Sequence, residues 1–170
     1  MVNYSTKEFN KEYMAKAMGR NLPISFKQTV EVCNFIKGRS INDSKNILEG
    51  VSEKKMAVPF KRFNRGLGHK KKSGAGRFPV KTSNELIKLL EAVEANAQFK
   101  GLNTANLTIT HICAHKGSKT WHFGRKRRRQ MKRTNVELIV EEKAEKEDKE
   151  DKEAIKNKKE IEKEEKKKVK

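Results

Sequence analysis

Between Glu94 and Glu137 the chain runs from Ala95 to Val136 without one acidic residue. No other feature constrains the fold as strongly. Like charges repel, so a folded body must hold these cations at its surface, where a polyanion can neutralise them. The densest part is Lys116 to Arg133, 18 residues with nine Lys or Arg and no Asp or Glu. A second acid-free window, 54–84, carries ten basic residues with Phe60, Phe63 and Phe78 among them. Trp121 and Phe123 sit among the cations of the first window. Guanidinium groups pair with phosphate oxygens and aromatic rings stack on unpaired bases. A structured nucleic acid, RNA first, is therefore the expected partner. The alternative is a solvated basic face or an import-like run.

The formal charge of +19 is unevenly placed. Residues 1–140 hold 29 Lys+Arg against 10 Asp+Glu, while 141–170 hold 12 of each sign. The first stretch reads as one basic domain with one modest core, too small for two enzymatic domains. The second is Lys/Glu low complexity. It suits a solvated helix held by pairs such as Glu145–Lys149, or disorder. The polar start and the absence of an apolar run near 18 residues point away from a membrane. Two distant cysteines, Cys33 and Cys113, suit a reducing, cytoplasmic compartment.

Within the body, Met14 to Pro23 permits a short strand. Ser25-Phe-Lys-Gln28 is a capping box, after which Phe26, Val30, Cys33 and Ile36 or Lys37 recur at helical spacing as far as Gly38. A second short helix starts at Ser40, turns Ile41, Ile47 and Leu48 inward, and closes at Gly50. The 54–84 window, broken by Gly66, Gly68, Gly74 and Gly76, reads as a basic loop with a short strand or helical turn near Ala57–Arg62. Thr82-Ser-Asn-Glu85 is a further capping box. Leu86, Leu89, Leu90, Val93 and Ala97 then form the clearest amphipathic stripe, ending near Lys100-Gly101. Leu107–His115 and Asn135–Val140 alternate and are β-branched, the second with Val136, Leu138 and Val140 on one face. Around the glycine-bearing basic segment they read as a hairpin at about 107–140. Its distal part, Lys116 to Thr134, has only Trp121, Phe123 and Met131 as large apolar residues. A two-stranded ribbon is marginal in water, so an external partner must order it.

The candidate RNA-binding side chains are Lys16, Arg20, Lys27, Arg39, Lys61, Arg62, Arg65, Lys70, Lys71, Lys72 and Arg77 in the first part of the body. Along the hairpin they are Lys116, Lys119, Trp121, Arg125, Lys126, Arg127, Arg128, Arg129, Lys132 and Arg133. His111, Cys113 and His115 alternate on one strand face about 7 Å apart, a spacing that could offer zinc ligands. No second Cys/His pair completes a finger, and the plainer account puts Cys113 in the core as a small hydrophobe. Neither a Ser/His/Asp set nor a phosphate-binding glycine loop is present. With ten acids in the body, the carboxylate cluster of metal-dependent nucleic-acid chemistry is lacking too. We expect no enzyme, no cofactor and no metal.

The run Ala15-Lys-Ala-Met-Gly-Arg-Asn-Leu-Pro-Ile-Ser-Phe-Lys-Gln28, then Ile36-Lys-Gly-Arg-Ser40, resembles the universal large-subunit ribosomal protein twenty-two family, in its archaeal and eukaryotic branch. Leu90-Glu-Ala-Val-Glu-Ala-Asn-Ala-Gln98, Gly124-Arg125 and Lys132-Arg-Thr134 continue the match in the family's order over about residues 4–140. The resemblance implies an α+β domain, three helices on a three-stranded antiparallel sheet from which a long hairpin extends. It implies a structural constituent of the large ribosomal subunit, in the cytoplasm, that binds several domains of the large-subunit rRNA and aids assembly. The hairpin would line the nascent-peptide exit tunnel, with Gly117, Trp121, His122, Phe123, Gly124 and Arg125 at its tip. The implied partners are that rRNA, neighbouring large-subunit proteins and the nascent polypeptide; a homo-oligomer is not expected. Trp121-His-Phe stands where the family usually has an Arg, and the 141–170 tail has no counterpart in the common core. The alternative is a free RNA chaperone or RNA-binding regulator.

Overall fold

The computed structural model, which describes residues 4–6, 9–71 and 73–143, builds its core around the amphipathic stripe of the longest helix. This helix, α3, runs Val80–Phe99 and buries Leu86, Leu89, Leu90, Val93 and Ala97. Each large apolar side chain so buried stabilises by roughly 1.5–3 kcal/mol. Its start differs from expectation. Pro79, not a Thr or Ser, occupies the N-cap: the Ser83 N–H donates to Pro79 O at 3.0 Å, so the helix has begun before the box is reached. Thr82, expected to cap, and its neighbour Ser83 are instead buried near the start of the helix.

Two shorter helices precede it. Helix α1, Phe26–Ile36, buries Thr29, Val32, Cys33 and Ile36, whereas Phe26 and Val30 are only half-buried and Lys37 is exposed. The sequence carries two overlapping stripes, and packing against a strand of the main sheet selects the second. The capping box at Ser25 does not form: its side chain makes no cap bond, and its carbonyl accepts from Thr29 N–H and Oγ1 at 2.9 Å each. Helix α2, Ile41–Ser52, starts as expected, with Ser40 Oγ accepting from the Asp43 N–H at 3.1 Å. It buries Ile41, Ser44, Leu48 and Val51 and continues through Gly50, leaving Ile47 half-buried.

The main sheet is antiparallel in the order β1-β6-β5, with β1 Met14–Leu22, β5 Leu107–Lys116 and β6 Thr134–Glu142. The central strand turns Val136, Leu138 and Val140, all fully buried, toward the helices. Opposite them, Ala15 pairs with Val140 and Ala17 with Leu138. The hairpin expected at 107–140 is thus β5 and β6, and β6 runs on to Glu142. A register shift interrupts β5 between Ile109 and His111. There the turn between α1 and α2 takes over the backbone bonds: Gly38 N–H donates to Ile109 O, and Ile109 N–H to Arg39 O, both at 2.9 Å. Gly38 adopts φ +79° to do so, a left-handed conformation that favours glycine. The extra residue exchanges the faces of β5. Ile112 and Ala114 join the core, while His111, Cys113 and His115 lie on the opposite face. Cys113 is therefore not the core residue expected of it; its side chain is half-buried.

The 54–84 window is not simply a loop. It forms a second three-stranded antiparallel sheet in the order β2-β4-β3, from β2 Val58–Pro59, β3 His69–Lys70 and β4 Gly74–Arg77. Strands of two to four residues are too short for periodicity to reveal. Gly76, read as a breaker, is where β2 and β4 approach: a Cβ there would lie 3.0 Å from Val58 O.

Candidate nucleic-acid interface

The long arm begins where β5 and β6 leave the sheet. Gly117 N–H donates to Arg133 O at 3.0 Å, Met131 N–H to Thr120 O at 2.8 Å and His122 N–H to Arg129 O at 2.9 Å. Gly117 lets the legs close at the base: a Cβ would meet Arg133 Cβ at 3.0 Å and Asn21 Oδ1 at 3.2 Å, so a neighbour would have to shift. The tip is a short turn over Gly124–Lys126, with Gly124 at φ +61° and Arg128 at φ +67°. Lys119, Arg125, Lys126, Arg127, Arg128, Arg129 and Lys132 are exposed. Trp121 and Phe123 are 59% and 85% exposed, and His122 is half-buried. Arg133, at the base of the arm, is tied back to the body, donating to Asn21 O at 3.1 Å.

The second group of cations comes from the small sheet and its approach. The carboxylate of Glu31, 3% exposed on α1, accepts three backbone N–H groups: Lys61 at 3.1 Å, Arg62 at 2.8 Å and Phe63 at 2.7 Å. Buried amides without water need such partners. By supplying them, Glu31 folds this stretch against the body and leaves the side chains of Lys61, Arg62 and Arg65 outside, all exposed. Lys70, Lys71 and Arg77 are exposed on or beside β3 and β4; Lys72 lies outside the described residues, as does the whole 144–170 segment.

The two acid-free windows, far apart in sequence, meet at the base of the arm. One cleft of about 500 Å³ is lined by Lys27 from α1, Arg62 and Arg65 from the loop, Arg77 from β4 and Lys132 from the arm. Among the described residues none of the candidate cations forms an ion pair with an acid; the pairs present are Lys45–Glu94, Lys55–Glu53, Lys88–Glu85 and the two histidines with Glu137. Several cations lie over aromatic rings instead. Lys27 and Arg62 approach Phe63 at 5.6 and 5.5 Å, Lys116 approaches Phe26 at 5.6 Å, and Lys70 approaches Phe78 at 5.9 Å.

The structure separates two candidates from this surface. Lys16, on β1, holds its ammonium over Tyr4 and Phe9 at 5.0 and 4.4 Å, securing the N-terminal segment. Arg39 donates from Nε to Phe35 O at 3.0 Å and stacks on the Phe35 ring, in the turn that binds β5. Arg20 is exposed at the end of β1.

Glu31 and Glu137 were not singled out from the sequence; an acid alone in a basic stretch was the available signal. Glu137, 1% exposed on the sheet face opposite the helices, accepts the Ser5 N–H at 2.8 Å and pairs with His115. Burial pushes its carboxyl up, but the bonds from Ser5 and His115 together outweigh this and hold it below the ordinary value. Cys113, His115 and Glu137 are the one group of such donor atoms among the described residues within 4.8 Å of one another. Burial first, and Glu137 second, push the Cys113 thiol up, so it is protonated at neutral pH. The carboxylate already has protein partners. The cluster works as a clasp: Ser5 Oγ lies 3.2 Å from His111 Nε2 and fastens the N-terminal segment over the sheet. The cationic face, by contrast, presents exposed basic side chains and aromatic rings.

Residues 17–141 match the family model described as Ribosomal protein L22p/L17e. The chain is 42% identical to the large ribosomal subunit protein uL22 of Archaeoglobus fulgidus, over 82% of this chain and 96% of that protein. It is 43% identical to the protein of the same name from Thermofilum pendens, over 79% of this chain and 93% of the relative. For the uL22 of Picrophilus torridus the identity is 46%, over 69% and 77%. A match spanning both acid-free windows, the three helices and the hairpin shows that this chain belongs to the ribosomal protein L22p/L17e family.

Proposed function

We propose that this chain is a structural constituent of the large ribosomal subunit that binds large-subunit rRNA through one continuous cationic face. It is a binding protein and not an enzyme, as its family membership indicates. The observation that carries the reading is the meeting of the two acid-free windows at the base of the arm, with their cations unpaired by acids among the described residues. Phosphates would supply the missing counter-charge, and several domains of rRNA held by one such face would be organised during assembly. The relatives named as large-subunit proteins support the assignment to that particle. With each leg of about eight residues, the arm reaches roughly 25 Å from the sheet at strand spacing. That reach suits a probe lining the nascent-peptide tunnel, its exposed Trp121 and Phe123 meeting the polypeptide or a neighbouring ribosomal protein. No described helix is long and apolar enough to cross a membrane.

Salt titration of RNA binding tests the reading. Each phosphate neutralised contributes about −0.7 to −0.9 to the log–log slope. Replacing Arg125, Arg127, Arg128 and Arg129 by Gln should flatten the slope by up to about 3–4 units without lowering the melting temperature. An unchanged slope would mean that the run is merely solvated. Sedimentation in high salt separates a subunit constituent, which stays with the large particle at one copy each, from a free chaperone or regulator, which washes off.

A further inference from the structure

We propose that the cleft between the start of α1 and the loop after β2 is a pocket for a single unpaired nucleotide. The inference rests on the RNA-binding reading and specifies what one part of that face recognises. A cleft of about 500 Å³ falls within the range of small-ligand pockets and is too confined for a duplex. Its lining divides by chemistry. Arg65, Arg77 and Lys132 supply charge for a phosphate, and no acidic residue lines the cleft. Gln28 and Asn64 offer amide donors and acceptors of the kind that read base edges. The Phe63 ring, half-buried against the core, carries the Arg62 guanidinium at 5.5 Å. A guanidinium beside an aromatic ring offers a splayed-out base two flat groups on which to stack.

The pocket is built before any ligand arrives. Glu31 fixes the backbone at Lys61, Arg62 and Phe63, and Phe60 N–H is fastened to Ala75 O at 2.8 Å. The backbone that carries Arg62 and Phe63 therefore need not be ordered on binding, which removes part of the cost that flexible sites carry. An acidic peptide would use the charges but leave the stacking plane and the amides of Gln28 and Asn64 without a role.

The test uses the full chain and two RNA hairpins, identical except that one carries a single bulged 2-aminopurine. The wild-type protein should bind the bulged hairpin roughly tenfold more tightly, the scale of one stacked base, with a fluorescence change on binding. Phe63→Leu and Arg62→Lys each preserve net charge and should reduce the preference to within about twofold while leaving the salt slope unchanged. Arg62 is exposed, so Arg62→Lys reports even if Phe63→Leu perturbs packing. Equal affinity for the two hairpins, or a preference that survives both substitutions, overturns the pocket while leaving RNA binding intact. Failure of the wild type to bind either hairpin overturns both readings. If a poly-glutamate competitor at matched charge abolished the preference without displacing the unbulged hairpin, the pocket would belong to an acidic peptide and not to a nucleotide.

Discussion

Ser83 shows how far a residue's neighbours can change its meaning. In sequence it belongs to a capping box; in the fold its hydroxyl is buried without a hydrogen-bond partner among the described residues. A buried donor with no acceptor costs on the order of 1–3 kcal/mol. Ser83→Ala should therefore leave the melting temperature unchanged or raise it, and a clear drop in calorimetry would show that the hydroxyl has a partner after all. Glu137 makes the opposite case, a buried acid that is satisfied. Its folded-state value is lowered, so the stability it contributes is present above the ordinary carboxyl value of 4.5 and is lost as pH falls through the lower, folded value. Melting temperatures should fall as pH is taken from about 5 to 3, and Glu137→Gln should flatten that dependence while lowering stability at neutral pH. An identical acid profile in the variant would remove Glu137 from the account. The isolation of Glu31 and Glu137 among cations was visible in the sequence but their roles were not, because an isolated acid acquires a role only when the chain brings amides or imidazoles to it.

At the scale of elements, legibility followed length. The stripe of α3 and the alternation of β5 and β6 are long enough for their periods to appear, and both were readable from residue order. Strands β2, β3 and β4 span two to four residues and exist because each finds a partner, not because their residues demand it. In α1 the expected stripe through Phe26 and Val30 gave way to one through Val32, because β5 packs against that face. The arm differs from all of these. Its base is joined to a buried sheet, but residues 118–132 cross-link through a few backbone bonds with no packed face. Amide exchange should be slow in β5 and β6 and fast from about 118 to 132 in the free protein. Binding to rRNA should slow it. Protection in the arm equal to that of the sheet, without RNA, would contradict the expectation that a partner orders it.

For the whole molecule, the boundary of the folded body can be tested by truncation. β6 closes with Glu142 N–H donating to Tyr13 O at 3.0 Å, and Lys143 N–H follows to Asn106 O at 3.2 Å. The tail beyond, 144–170, holds 11 Lys against 10 Asp+Glu and so provides almost no net attraction to phosphate. Glu–Lys pairs at the i, i+4 spacing of its sequence would contribute only about 0.2–0.5 kcal/mol each. A chain ending at Lys143 should melt within about a degree of the full protein and enter large subunits equally well in a reconstitution assay. Failure to assemble would make the tail a binding element.

What residue order determined by itself was the balance of charge, the long periodic elements and the segment that cannot stabilise itself. These are properties of composition and local spacing, and they hold whatever the chain folds into. Whether a given side chain is inside or outside, and what it meets, was decided only in three dimensions. Cys113 left the core because one bulge at Ile109–His111 exchanged the faces of β5. Lys27, Arg77 and Lys132 share one cleft because α1, β4 and the arm converge there. Such juxtapositions depend on register and packing between distant segments, and no local pattern carries them.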